Sequence, residues 1–162
     1  MEKERFQECS EGSSQISQGD EVMKYGKLRT LRGQVEVTGG GVAKKNLIVS
    51  DGLINAGLKI LRFQVWAVDI NDVFNGILSY DTISSGTQMN ASDNRQFAWT
   101  VGNGSAEINN EFIDPDHIVN RDCFLTLVNS SVGIYNYLIE AQVVELSDDE
   151  AIITIIKETS QS

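Results

Sequence analysis

Apolar and polar residues alternate with a period of two along much of this chain. In Leu31-Arg32-Gly33-Gln34-Val35-Glu36-Val37, Leu31, Val35 and Val37 fall on one side and Arg32, Gln34 and Glu36 on the other. That is the pattern of a half-buried strand, whose successive side chains point to opposite faces. Thr38-Gly39-Gly40-Gly41 breaks the run. Leu47-Ile48-Val49 predicts a short buried strand ended by Asp51-Gly52, and Asn55-Ala56-Gly57 leaves the stretch up to Leu58 ambiguous. Residues 58–69 are the strongest strand. There Leu61, Phe63, Val65 and Ala67 share one face, while Ile60, Trp66 and Val68 make the other partly apolar, which predicts a central strand covered on both sides. Further strands are expected over 76–81, 95–101, 123–128 and 134–146. In the last of these Tyr135, Tyr137, Ile139, Ala141 and Val143 form the inward face, and Asn136, Glu140 and Gln142 point outward.

Stretches dense in Asn, Asp, Ser and Gly separate these segments, and such residues favour turns by bonding the local backbone or tolerating positive φ. Strands with such separators, and no alternating long helical patterns, predict a mainly-β chain: an antiparallel β-sandwich, jelly-roll-like. Residues 1–26 are rich in Glu, Ser, Gln and Gly, too poor in apolar surface to offset the entropy of ordering by themselves. They read as a polar N-terminal arm ahead of a sandwich domain over 27–162. At the other end, Ser147-Asp148-Asp149-Glu150 has the spacing of a capping box, with acidic residues at the positive end of a helix dipole. Ile152, Ile153, Ile155 and Ile156 follow at helical spacing, with Lys157 toward the C-terminal end. A short terminal helix over 147–159 is favoured; the alternative is a last strand, which the β-branched side chains prefer.

At 162 residues, 41% hydrophobic and 22% charged, the chain matches one ordinary globular domain with a core of its own. The first thirty residues contain no apolar signal-peptide core, and no apolar run approaches the length of about 18 residues that spans a membrane. Neither secretion by a signal peptide nor membrane contact is expected. Cys9 and Cys123 read as an incidental thiol and a small core residue, which fits a reducing compartment.

A net charge of −10 argues against a general nucleic-acid coat, because neutralising phosphates needs a cationic surface. The charge is unevenly distributed, however. From Lys24 to Arg62 eight basic residues face two acidic ones, whereas from Phe63 to the end three basic residues face fifteen acidic ones. Lys24, Lys27, Arg29, Arg32, Lys44 and Lys45 are therefore the candidate contact residues, either for an acidic patch on a neighbouring copy or for a polyanion. Nucleic acid would be reached only through the basic segment 24–62. A solvated surface is the plain alternative.

Signals for chemistry are sparse. The one histidine, His117, sits beside Asp114 and Asp116, a set that could hold a metal or run acid–base chemistry but that also describes an ordinary polar turn. No nucleophile motif, second histidine or Gly-rich phosphate loop completes a site, so no enzyme activity and no cofactor are expected. Asp69 and Asp72, like Asp114 and Asp116, offer hard oxygen ligands of the kind a Ca²⁺ ion selects, without EF-hand spacing. Sequons at Asn90, Asn103 and Asn129 are expected to be unmodified and to mark exposed loops. Trp66, Trp99, Tyr80, Tyr135 and Tyr137 could include a stacking platform for sugars, although their alternation with apolar residues favours core packing.

Three segments taken together carry a resemblance. They are Leu28-Arg29-Thr30-Leu31-Arg32-Gly33-Gln34-Val35-Glu36-Val37, Ile113-Asp114-Pro115-Asp116-His117-Ile118-Val119 and Asp149-Glu150-Ala151-Ile152-Ile153. In combination they resemble small β-sandwich virion structural proteins of environmental viruses and phages. The resemblance touches under a third of the chain and carries over no functional residue. It implies a capsid or virion structural protein, made in the host cytoplasm and located in the virion. Such a protein would form a homo-oligomer or dock on other virion proteins through its arm and charged faces. The alternative is a carbohydrate- or receptor-binding β-sandwich module, which requires Trp66 or Trp99 to be exposed in a groove.

Overall fold

The structure, a computed structural model, describes residues 24–38, 41–49, 55–69, 73–81, 88–103, 108–129 and 132–160. Among these residues nine strands precede one helix: β1 (Lys24–Val37), β2 (Val42–Leu47), β3 (Ala56–Ala67), β4 (Val73–Ser79), β5 (Gln96–Asn103), β6 (Ile108–Ile113), β7 (Ile118–Val119), β8 (Cys123–Asn129), β9 (Gly133–Glu145) and α1 (Asp148–Ser160). They form two antiparallel sheets, a first of order β1-β9-β3-β7 and a second of order β2-β8-β4-β5-β6. The inward residues of both sheets, among them Val37, Phe63, Val65, Tyr135 and Ile139 from the first and Phe74, Leu78, Leu125 and Leu127 from the second, make one continuous core. The fold is a mainly-β sandwich, as the alternation predicted. Cys123 is buried in that core. Cys9 lies outside the described residues, as do residues 1–23 of the expected arm, and β1 already begins at Lys24.

Glycine brings the sheets close where Cβ atoms would collide. A Cβ on Gly76 would meet Thr100 at 2.7 Å and the Phe63 ring of the opposite sheet at 3.2 Å; within the second sheet, one on Gly102 would strike the Phe74 ring of the neighbouring strand. At the corner between β1 and β2, Gly41 takes φ +74°. Its carbonyl accepts from the Asn129 N–H at 2.8 Å, and a side chain there would collide with the Asn129 carbonyl.

The terminal helix forms as favoured. Ser147 N–H and Oγ both donate to Glu150 Oε2, at 3.0 and 3.1 Å, and Glu150 N–H donates back to Ser147 Oγ at 3.4 Å. This reciprocal pairing satisfies helix-start donors that otherwise lack partners. The helix packs on the outer face of the first sheet at one end only. There Val144 and Leu146 of the outward set join Ala151 and Ile118 in a second, small cluster.

Several sequence expectations need correction. In β3 the faces change sides. A bulge sets Ile60 and Leu61 against Ala141, so Ile60 and Phe63 both point inward and Leu61 is exposed, because an extra residue resets the alternation downstream of it. The strand is also not covered on both sides: Trp66 and Val68 lie in solvent. Ile48 and Val49 are not strand. The strand ends at Leu47, with Ile48 exposed and Val49 buried. The sequon residue Asn129 is buried rather than in an exposed loop, donating from Nδ2 to the Tyr135 hydroxyl.

Candidate functional site

Because successive strand residues face opposite ways, the register fixes what the outer face of the first sheet presents. Reading across β1, β9 and β3, one row is Gln34–Asn136–Trp66, the next is Arg32–Leu138–Gln64, and the third is Thr30–Glu140–Arg62. Gln34 Nε2 donates to Asn136 Oδ1 at 2.9 Å. With its amide oxygen turned toward Arg62, Gln64 accepts from Nη2 at 3.0 Å and from Nε at 3.2 Å. Trp66 is 45% exposed beside these amides. The outer face of the second sheet is of another kind. Its outward residues include Ile77, Trp99, Val101, Phe112, Phe124 and Val128, and Ile77 is fully buried.

The six basic candidates all sit on β1 and β2, the edge strands of the two sheets, but they face different ways. Lys24, Lys27 and Arg29 lie in the fully exposed first half of β1, Arg32 lies on the outer face described above, and Lys44 is exposed on β2. Lys45 is committed to the fold: its ammonium bonds the Gln34 carbonyl at 3.1 Å and sits 5.3 Å from the centre of the Tyr137 ring. It therefore ties the β2 edge to the β1 edge. Lys24 stands opposite Glu145.

The polar set around His117 does not converge on a pocket. Asp114 and Asp116 are exposed, the Asp114 carboxylate accepts from the Asp116 N–H at 3.0 Å, and this local bond closes a turn. The His117 ring instead lies nearly parallel to Phe97, centroids 4.5 Å apart, and to Tyr80 at 6.1 Å. Among the described residues no three His, Cys, Asp or Glu side chains gather to hold a metal ion. Asp69 is exposed, and Asp72 lies outside the described residues.

Known proteins offer no guide. No known protein family, curated protein or solved structure matches this chain. Function therefore has to be argued from geometry and chemistry alone.

Two features were missed by sequence pattern. The loop before β5 is built around Gln96, whose 5% exposure hides a hub: Oε1 accepts from Trp99 Nε1 at 2.7 Å and from Asn90 N–H at 3.0 Å, and Nε2 donates to the Gln88 carbonyl at 3.1 Å. Beside it, Arg95 grips Asp93 with Nε and Nη2, both at 2.9 Å. That hydrogen-bonded guanidinium holds the Asp93 carboxyl below its ordinary pKa. Among the large aromatics, Tyr80, Tyr135 and Tyr137 are core, Trp99 is half-buried, and Trp66 alone of these five is exposed. Alternation set Trp66 on the face opposite Phe63 and Val65, but only the partner strands decide that this face stays uncovered at Trp66.

Proposed function

We propose that this chain is a structural subunit of a virion coat, which assembles with copies of itself or with other coat subunits through its N-terminal arm and charged faces, without catalysis. The observation that carries this reading is the order of strand pairing. β1 pairs with β9, β2 with β8, β3 with β7 and β4 with β5, which is the nesting of one long hairpin. That hairpin is rolled so that β9 also meets β3 and β8 also meets β4. The pattern supports a jelly-roll wrap with β6 added outside β5, an architecture used by viral coat subunits and by lectins.

Charge and exposure favour assembly. Residues 1–23 carry six acidic side chains against Lys3 and Arg5, while the edge strand that follows carries Lys24, Lys27, Arg29 and Arg32. An acidic arm from one copy complements the basic edge of the next, and in a closed symmetric assembly one such contact serves every copy. On α1, Ile152, Ile153 and Ile156 are each about half exposed, an apolar stripe suited to a second contact.

Light scattering on the full chain and on a variant lacking residues 1–23, at low and high salt, tests the reading. The full chain is expected to be oligomeric, to lose mass without the arm, and to loosen in salt as screening weakens the charge contact. Monomers from both chains at every salt concentration would remove self-assembly.

A further inference from the structure

Trp66 stands out for its position more than for its exposure. Asn136 lies directly opposite it on β9, and Gln34 directly opposite Asn136 on β1. One row across three strands thus reads amide, amide, indole, at spacings of about 4.8 Å. The polar groups are held in place. Gln34 is bonded to Asn136, and Gln64, two residues before Trp66 on the same face, is bonded to Arg62. Each amide thereby uses one polar group on a neighbour. Its complementary atom, Gln34 Oε1, Asn136 Nδ2 or Gln64 Nε2, has no partner among the described residues.

A pyranose ring is the complement of this surface. One of its faces is lined by C–H groups that stack on an indole, and its hydroxyls each donate and accept at the rim. Charge points to the same ligand. Arg62 stands directly opposite Glu140, and Arg32 and Glu36 lie four residues apart on the same face of β1, so the rows from Thr30 to Glu36 hold as many acidic as basic groups in a chain of net charge −10 and favour neither anion nor cation.

We propose that the outer face of the β1-β9-β3 sheet is a binding platform for a neutral oligosaccharide. Trp66 stacks on one sugar ring, and the free amide atoms of Gln34, Asn136 and Gln64 bond its hydroxyls. The face adjoins the basic edge through Arg32 and Gln34 of β1, but the sugar proposal does not rest on the coat reading.

The full chain is applied to an array of neutral hexose and N-acetylhexosamine oligomers, and a retained oligomer is titrated calorimetrically. Wild type is expected to bind saturably. Trp66→Ala and Asn136→Ala should each weaken binding by about tenfold or more, whereas Trp99→Phe should bind as wild type does. Far-UV spectra and melting midpoints establish that the variants are folded, and Gln34→Ala replaces Asn136→Ala if the latter is not. Three results would overturn the proposal: no neutral oligomer retained by wild type, undiminished binding by Trp66→Ala, or a change in assembly mass on Trp66→Ala, which would make the face a contact between copies.

Discussion

Glu111 on β6 accepts a hydrogen bond from the backbone N–H of Phe63 on β3, at 3.0 Å. The bond joins the two sheets at their far edge. β7 pairs with Leu58 and Lys59; beyond it the β3 edge has no strand partner among the described residues, and a carboxylate from the other sheet supplies the acceptor a strand would have given. An inward-pointing charge on an edge strand also discourages pairing with foreign strands. Glu111→Ala leaves the Phe63 N–H without its acceptor and is expected to cost about 1–3 kcal/mol of stability. Glu111→Gln keeps an acceptor and should lose less. Urea unfolding of both variants measures the difference, and equal losses would deny the bond its role.

Side-chain packing across neighbouring strands β4 and β5 depends on a missing Cβ. The Phe74 ring lies over Gly102, and a Cβ there would collide with it. Gly102→Ala is expected to destabilise by about 1–3 kcal/mol, the usual cost of overpacking. Gly26→Ala, whose new Cβ would come no nearer than 3.4 Å to Val143, should stay within about 0.5 kcal/mol of wild type. Denaturant midpoints for the pair give the comparison.

The Asp93–Arg95 pair makes the loop before β5 sensitive to acid. Because Arg95 lowers the Asp93 pKa below its ordinary 3.8, the native state holds this proton less tightly than the unfolded chain. The contribution is therefore complete above pH 3.8 and fades as pH falls through the lower, folded value. Both side chains are partly exposed, so the effect is small and weakened by salt. Asp93→Asn is expected to melt below wild type at neutral pH, with the gap closing in strong acid. A gap that is constant with pH would assign the loss to geometry instead of charge.

Alternation was enough to identify the sandwich class, the inward face of β9 and the core role of Cys123, because a period of two maps directly onto the two faces of a strand. The helix at the end was legible too. Ser147 and Glu150 form a local capping motif, whose bonds need only residues three apart. What remained hidden was non-local. Ile60 and Leu61 exchanged faces because a bulge opposite Ala141 is set by the neighbouring strand. β6 and β7 escaped notice because a short, mostly polar edge strand such as Ile108-Asn109-Asn110-Glu111-Phe112-Ile113 has little alternation to read.

The sequence alone determined that this chain forms strands with one apolar side, breaks them at Gly-, Asn- and Asp-rich turns, and caps a terminal helix, since each depends on neighbours within a few residues. Tertiary structure decided which strand lies beside which. It thereby decided that Trp66 faces solvent next to Asn136 and Gln34, that Lys45 ties two edges together, and that His117 is stacked between rings instead of joining its aspartates. Those outcomes rest on pairings between residues tens of positions apart, and no local pattern encodes them.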